Sequence, residues 1–255
     1  MFQKLKRHQF LFEELVKRDF KKKYKRTILG MAWSVLAPLL TLLVLKLVFH
    51  QFFGRAVEHY MIYLFCGNLI FSYFNESTTQ GMSALMGNST IFTKVNVPKY
   101  LFLFSKNVQT LINFGLSLCV FFIFCVLDQI TFAWQFLFLI FPIVTLLLFN
   151  IGMGLILSGL YVFFRDIQYL WSVFTQMLMY LSAIFYTLDG YPVHVQNLFL
   201  INPVYLHIRY FRQIVIEGTI PPFWYHALIL VYVAVVLLVG CWMYKKYNHR
   251  FLYYV

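Results

Sequence analysis

One carboxylate stands in the middle of an apolar segment. Glu76 lies in the run NESTTQ, residues 75–80, which follows a stretch rich in Phe, Tyr, Leu and Ile. An ionised carboxylate in a hydrocarbon layer costs about 2.5–3.5 kcal/mol on insertion scales, so this side chain has to face protein or water. Two interpretations stay open: a polar wall that binds hydroxyl groups of a ligand, or a buried acid that is protonated or bonded to its polar neighbours.

The elements around this carboxylate are those of a membrane protein. Of the 255 residues, 61% are apolar and only 12% are charged, with a net charge of +12. A soluble domain carries about 25% charged residues. The composition excludes a disordered chain, a disulfide-rich secreted module and an ordinary soluble enzyme. The four cysteines all fall in apolar segments without metal or redox spacing, which is typical of packing residues.

Aromatic residues exceed what membrane anchoring requires. Phe, Tyr and Trp make up 21% of the chain. Six spanning helices with one or two interfacial rings at each end would use roughly 12 to 24 Trp and Tyr. The surplus, which is mostly Phe, requires another explanation.

Six apolar segments separated by polar residues predict six spanning helices, because a span needs about 20 apolar residues. We expect an all-α integral membrane protein that forms a single transmembrane domain over residues 1–255. The first five predicted spans lie within 30–188 and are 30–53, 60–82, 107–127, 133–163 and 168–188. The sixth span is 224–244, and with the basic tail that follows it occupies 224–255. Pro142 and the glycines at 152 and 154 predict a bent or tilted fourth helix.

The segment 1–29 is predicted to be an amphipathic helix at the membrane interface. Ten of the 21 basic residues lie in the first 26 positions. Phe12, Val16, Phe20 and Tyr24 recur every four residues and form an apolar stripe on a helix. A basic helix with such a stripe is attracted to anionic lipid. A solvated basic tail is the alternative.

Charge placement predicts the orientation. With both termini on the cytoplasmic side, seventeen of the 21 basic residues lie inside, and the others are Lys46, Arg55, Arg209 and Arg212. Positively charged loops stay in the cytoplasm, which favours this orientation.

Two connections between spans carry unusual sequences. The outer segment 189–223 is too polar for a span and too apolar for a solvated loop, so it predicts two short helices broken at Asn202-Pro203, either re-entrant or lying on the surface. The inner segment 88–100 (NSTIFTKVNVPKY) predicts one short helix that exposes apolar residues and docks a soluble partner, with a lipid-held turn as the alternative.

At this point the chain resembles a known family. The segment 88–99, the basic N-terminal helix leading into GMAWSVLAP at 30–38, the turn FRDI at 164–167 and Asn202-Pro203 are similar, in order and spacing, to the permeases of polysaccharide ABC exporters. These permeases export O-antigen, teichoic acid and capsular or rhamnan chains. The likeness covers nearly the whole chain; Val97 departs from it, since Phe more often precedes this proline in the family.

The resemblance implies a half-transporter. Permeases of this family act as homodimers with two copies of a separate cytoplasmic ATPase subunit, which binds ATP and Mg²⁺, so this chain is expected to bind no cofactor or metal and to be no enzyme. The chain has no G-x-x-x-x-G-K-[ST] motif. The expected substrate is a polyprenyl-diphosphate-linked glycan that passes between two permeases. The residues expected to couple to the ATPase are Asn88, Ile91, Phe92, Lys94, Val97, Pro98 and Lys99.

A glycan substrate gives the aromatic surplus a function. Ring faces cover the apolar faces of sugars, while polar side chains such as that of Glu76 bind the hydroxyl groups. The predicted lining residues on spans one, two and five are Phe49, Phe53, Phe71, Tyr73, Phe74, Tyr180 and Tyr186. For any single ring, packing against lipid or protein is the alternative.

Three arginines are candidates for binding the diphosphate. Arg209 and Arg212 are three residues apart and share a helix face, where guanidinium groups suit phosphate geometry; snorkelling to lipid headgroups is the alternative. Arg165 either pairs locally with Asp166 or binds the diphosphate on the inner side.

Two other functions are alternatives to glycan export. A membrane-embedded transferase would need convergent acid–base groups, and the sequence shows no H-x4-D, D-x-D, H-E-x-x-H or G-x-S-x-G pattern. A permease for a drug or a small lipid is the second alternative, and the basic N-terminal helix disfavours it.

Overall fold

The structure is a computed structural model that describes residues 9–25, 30–53, 59–95, 97–252 and 254. Within these residues the chain forms ten α-helices and no strand. The helices are α1 Gln9–Tyr24, α2 Trp33–Phe53, α3 Tyr60–Ser83, α4 Ser89–Phe92, α5 Tyr100–Leu127, α6 Ile140–Phe163, α7 Ile167–Tyr180, α8 Val193–Phe199, α9 Pro203–Val215 and α10 Phe223–Tyr247. Short 3₁₀ turns occupy Gly30–Ala32, Met86–Asn88, Trp134–Leu139 and Arg250–Leu252.

The all-helical class is confirmed for the described residues. Three helical segments are long and apolar enough to cross a membrane: Tyr100–Leu127, Trp134–Phe163 and Phe223–Tyr247. A shorter apolar stretch, Trp33–Phe49, lies in α2. The other crossings of the predicted six stay a prediction.

The predicted inner helix over 88–100 is wrong in extent. Residues 88–92 form the end of a 3₁₀ turn and one α-helical turn, and α5 begins at Tyr100, earlier than the predicted 107. Pro98 explains the irregular stretch before α5, because proline disfavours helix at the residue before it and can itself lie in the first turn.

The predicted fifth span over 168–188 is also wrong beyond residue 180. Helix α7 has 14 residues. It is about 21 Å long, shorter than the roughly 30 Å of a hydrocarbon core. Residues 181–188 are not helical, and Ala183 has a positive φ of 47°.

The prediction of two short helices after this segment is confirmed. Helix α8 ends at Phe199 and α9 begins at Pro203. Asn202 caps α9, since its Oδ1 accepts from the backbone N–H groups of Val204 at 3.0 Å and Tyr205 at 3.3 Å. Helix α9 does not lie on the surface: most of its residues are buried in the main core.

Glycines set the closest helix contacts in the centre of the fold. Helix α6 packs along both α3 and α10. A Cβ at Gly152 on α6 would lie 2.9 Å from the backbone nitrogen of Leu237 on α10, and one at Gly240 would lie 2.8 Å from the Gly152 carbonyl oxygen. These helices therefore approach at backbone distance, as small residues permit in membrane proteins.

This close contact gives a stability prediction. Gly152→Ala should destabilise the purified permease by about 1–3 kcal/mol, because the added methyl group meets backbone that cannot rotate away. Gly115→Ala is the matched control on α5, since a Cβ there meets nothing within 4 Å. Thermal unfolding of both variants in detergent measures the difference. Equal midpoints for the two variants would contradict the packing.

Candidate functional site

A polar stripe runs along one side of α3 and separates two cavities. The stripe consists of Asn68, Ser72, Asn75, Glu76, Thr79 and Ser83. The first cavity, of about 350 Å³, lies between α2, α3 and α5. The second, of about 570 Å³, lies between α3, α6 and α7. They are called the α2–α5 cavity and the α3–α7 cavity below.

Glu76 lies at the α2–α5 cavity and is half-buried. Its Oε1 accepts hydrogen bonds from Gln80 Nε2 at 2.9 Å and from Asn113 Nδ2 at 3.2 Å. The protein thus supplies amide partners while the carboxylate borders open space. This geometry combines elements of both interpretations of the sequence: polar neighbours hold the acid, and it faces a cavity.

Helix α7 supplies the opposite wall of the α3–α7 cavity. Gln168, Ser172 and Gln176 of α7 face Asn75 and Thr79 of α3 across it. The three α7 residues are four apart and therefore share one helix face. They are absent from the residues predicted from the sequence, although their spacing of four indicates a polar face on α7 that could meet that of α3.

The predicted aromatic residues separate into buried and accessible groups. Tyr73 and Phe74 are only 2% and 1% exposed. Tyr73 stacks on Phe114 at a ring distance of 4.5 Å and borders the α2–α5 cavity, whereas Phe74 packs edge-on against Trp171 at 6.0 Å. A polymer cannot slide along either ring while the core stays closed.

The other predicted rings lie nearer the surface. Phe71 is buried but lines the α3–α7 cavity, and Tyr180 is exposed at the end of α7. Phe49 stacks on Phe185 at 4.8 Å, and the Tyr186 hydroxyl donates to the Tyr180 carbonyl at 2.8 Å. Phe53 ends α2, but its side chain lies outside the described residues.

Arg212 and Arg209 occupy different surroundings. The Arg212 guanidinium is buried, lies 3.4 Å from the Tyr63 ring centre, and donates to the carbonyl oxygens of Ala183 at 2.8 Å and Ile184 at 2.9 Å. It also donates to the Tyr63 carbonyl at 3.2 Å. Arg209 is exposed and donates to the Tyr205 hydroxyl at 3.3 Å. Of the pair, only Arg209 is placed to reach an external anion.

Arg165 is exposed in the turn between α6 and α7, beside an exposed Phe164. No salt bridge joins Arg165 to Asp166 in the part of the chain that the structure describes. The predicted local ion pair is therefore not formed, and the guanidinium faces outward.

Helix α1 is fixed to the inner segment by a cluster of charged and amide groups. Arg18 Nη2 lies 2.7 Å from Asp19 Oδ1 and 2.7 Å from Asn88 Oδ1, and Lys106 Nζ of α5 lies 3.1 Å from Asp19 Oδ2. Gln109 donates to the Asp19 carbonyl at 3.2 Å. Asp19 and Asn88 are both 2% exposed. Asn88 is thus an internal anchor and offers little surface to a partner protein.

The remaining residues of the inner segment divide in the same way. Phe92 and Val97 are buried in a second apolar core with Leu15 and Phe251. Lys99 is buried as well; its Nζ donates to the Asn248 carbonyl and lies 5.8 Å from the centre of the Phe92 ring and 5.6 Å from that of Phe251. Burial lowers the pKa of Lys99.

The exposed part of this segment is small. Ile91 and Pro98 are half-buried, while Lys94 and its neighbours Thr93 and Val95 are exposed, Val95 by 53%. Of the seven residues predicted to couple to a partner, Lys94 alone is fully on the surface. Val95 is one of the apolar residues that the sequence predicts to be exposed on this segment, whereas Thr93 was missed, because only burial distinguishes it from its neighbours.

The described residues thus combine apolar helices, two cavities with polar linings and an exposed inner segment. Residues 11–216 match the family described as ABC-2 type transporter. The chain belongs to this family. It is therefore a membrane permease, and the apolar helices are its multi-pass membrane domain.

Individual relatives match nearly end to end. The chain is 25% identical over 252 residues to the O-antigen export system permease protein RfbA of Klebsiella pneumoniae, with 95% of both chains covered. It is 28% identical to the protein of the same name from Myxococcus xanthus, over 87% of this chain and 86% of the relative. It is 23% identical to the polysialic acid transport protein KpsM of Escherichia coli, over 82% of each chain.

The Arg212 geometry predicts a structural effect that Arg209 does not share. Arg212→Lys keeps the charge but cannot reach several carbonyls at once, so it should cost about 1.5–3 kcal/mol for each charged hydrogen bond lost. Arg209→Lys, on the same helix, should leave the unfolding temperature of the permease nearly unchanged. Thermal unfolding of the two purified variants measures this. A larger loss for Arg209→Lys would refute the assignment.

Proposed function

We propose that this chain is the permease subunit of an ATP-driven exporter that moves a lipid-linked polysaccharide across a bacterial cytoplasmic membrane. The observation that carries the proposal is the match over 95% of both chains to an O-antigen export permease. The polysialic acid transport protein among the relatives supports a polysaccharide as the substrate class. The carrier in this proposal is a polyprenyl diphosphate.

In the working exporter two copies of the chain form a homodimer, and each crosses the membrane six times with both termini in the cytoplasm. Helix α3 forms the second crossing. Helix α7 and the non-helical residues 181–188 together form the fifth, and α8 and α9 follow on its outer side. The lopsided distribution of basic residues supports this orientation. The polar faces of α3 and α7 then line the space between the two permeases.

The glycan passes along the α3–α7 cavity. Amide and hydroxyl groups of Asn75, Thr79 and Gln176 bind sugar hydroxyls there, and Phe71 supplies aromatic surface. The exposed Tyr180 adds aromatic surface at the end of α7. Such contacts are weak and replaceable, as a moving polymer requires. Arg209 on the outer side and Arg165 on the inner side are the cations that remain accessible to the diphosphate.

Energy comes from two copies of a separate ATPase subunit that binds ATP and Mg²⁺. The family of the chain is a permease family, and the exposed Lys94 and Val95 form a docking surface for a cytoplasmic partner. Purification of the permease with its ATPase tests the assignment directly: lipid-linked glycan should stimulate ATP hydrolysis by the complex. Activity of the isolated chain as a transferase would overturn it.

A large side chain in the α3–α7 cavity should stop export without disturbing assembly. Thr79→Trp places a large ring in the α3–α7 cavity and should lower the surface glycan at least tenfold, while ATPase co-purification stays normal. Thr131→Trp, at an exposed position after α5, is the matched control. Surface glycan is measured by antibody staining of intact cells. Undiminished export by Thr79→Trp would exclude the α3–α7 cavity as the path.

Changes on the docking surface should separate the ATPase from the permease. Lys94→Glu combined with Val95→Asp replaces a cation and an exposed apolar side chain by acids, and should reduce co-purified ATPase at least fivefold. Lys245→Glu, an exposed cation at the end of α10, is the control and should leave the complex intact. Equal ATPase recovery from all three proteins would show that docking occurs elsewhere.

A further inference from the structure

The α2–α5 cavity has features that a passage for a sliding polymer does not require. It lies between three helices of one protomer, on the side of the α3 stripe away from α7. Its volume of about 350 Å³ lies within the range of small-ligand sites, about 300–1,000 Å³.

Two ladders of polar side chains face this space. Asn68, Ser72 and Glu76 are four residues apart on α3, so they form one row about 12 Å long. Thr110, Asn113 and Ser117 form a second row on α5. Hydroxyl and amide groups outnumber the single carboxylate, and both rows line the same cavity.

Asn68 is placed to bind a polar ligand in this cavity. Among the described residues its side-chain amide has no hydrogen-bond partner in the protein, although it lies well inside α3 and is half-buried. The amide faces the cavity, so a polar ligand there would satisfy it.

The charge of the lining indicates which ligand. The described lining residues include one acid, Glu76, and no lysine or arginine. A phosphate would therefore be repelled, whereas neutral hydroxyl groups can donate to the carboxylate and exchange hydrogen bonds with the amides. Trp33, which is 44% exposed, adds ring surface at the same cavity, and an accessible ring suits the apolar face of a sugar.

We infer that the α2–α5 cavity is a binding site for one uncharged sugar unit, distinct from the path along the α3–α7 cavity. Each protomer carries its own site. The inference rests on the proposed function, because it takes the sugar to be part of the exported glycan. The site holds a unit beside the path and lets go of it as the polymer advances.

Photolabelling tests this site. The full-length permease in complex with its ATPase, in lipid nanodiscs, is irradiated with an octyl glucoside that carries a diazirine on the glucose ring. Labelled peptides are mapped by mass spectrometry. Label is expected on α3 near Asn68 and on α5 near Asn113. Excess octyl glucoside should compete, and octyl phosphate should not.

Two variants keep the result specific. Asn68→Leu removes the amide and fills space without breaking a described protein hydrogen bond, and should reduce labelling of α5 at least fivefold. Thr79→Val, which alters only the α3–α7 cavity, should leave that labelling unchanged. Thermal unfolding of Asn68→Leu confirms that the fold is retained.

Contrary outcomes distinguish the two proposals. Absence of label at both helices, or equal competition by octyl phosphate, overturns the sugar site and in the second case indicates a site for lipid chains. Export that is still blocked by Thr79→Trp would then leave the proposed function standing. Export unaffected by Thr79→Trp, with label present at Asn68, would overturn the path and retain the sugar site.

Discussion

The fold depends on hydrogen bonds to the backbone carbonyl groups of residues 181–188, where the fifth apolar segment is no longer helical. Carbonyl groups freed at 181–188 cannot rely on water in a membrane, so protein side chains have to bind them. The donors come from α3, α8 and α9 and from the turn before α9. Asn202 donates to the Leu181 carbonyl at 3.1 Å, and Arg212 donates to the carbonyls of Ala183 at 2.8 Å and Ile184 at 2.9 Å. Tyr60 donates to the Phe185 carbonyl at 2.9 Å, Tyr63 to the Tyr186 carbonyl at 2.7 Å, and Gln196 to the Leu188 carbonyl at 3.1 Å. This set of hydrogen bonds fixes the non-helical segment against α3 and α9, and so determines where the short helix α7 can lie.

The position of the α3–α7 cavity follows from these hydrogen bonds. Because residues 181–188 are held by side chains of α3 and α9, α7 lies beside α3 and its own polar face meets the polar stripe. Gly67 allows this arrangement, since a Cβ there would lie 2.8 Å from Arg212 Nη2 and 3.0 Å from Ile184 Cγ2. A buried arginine is costly to desolvate. Here its cost is offset by the carbonyl oxygens of Ala183 and Ile184, which the break leaves available, and by the Tyr63 ring of α3.

Local signals in the sequence predicted part of this. The Asn202-Pro203 pair marks the start of α9 by capping chemistry that depends on adjacent residues, and the polar run at 75–80 marks the side of α3 that borders open space. Tertiary position decided the rest. Tyr73 and Phe74 were predicted to line a path, but α3 is enclosed on most sides, so rings pointing away from its polar stripe are buried. Arg212 was predicted to bind phosphate because nothing near it in sequence reveals the carbonyls that it binds. Likewise, the split of the inner segment into anchors and surface depends on Arg18 and Asn248, which are distant in sequence.

That split has a mechanical consequence. The exposed residues Lys94 and Val95 lie between two anchors: Asn88, which is bound to Arg18 of α1, and Lys99, which is bound to the Asn248 carbonyl just after α10. The anchors belong to compact polar or apolar clusters, so they are stiffer than the turn that they flank. A force applied at Lys94 that left these contacts intact would therefore displace α1 and the end of α10 along with the start of α5. Because α1 also packs along α5, where Lys106 and Gln109 bind Asp19, and α5 forms one wall of the α2–α5 cavity, the same displacement would reach the cavity that Glu76 lines. Coupling between the proposed docking surface and the polar interior thus needs no long-range relay, only the short chain of contacts from Asn88 through Arg18 and Asp19 to α5.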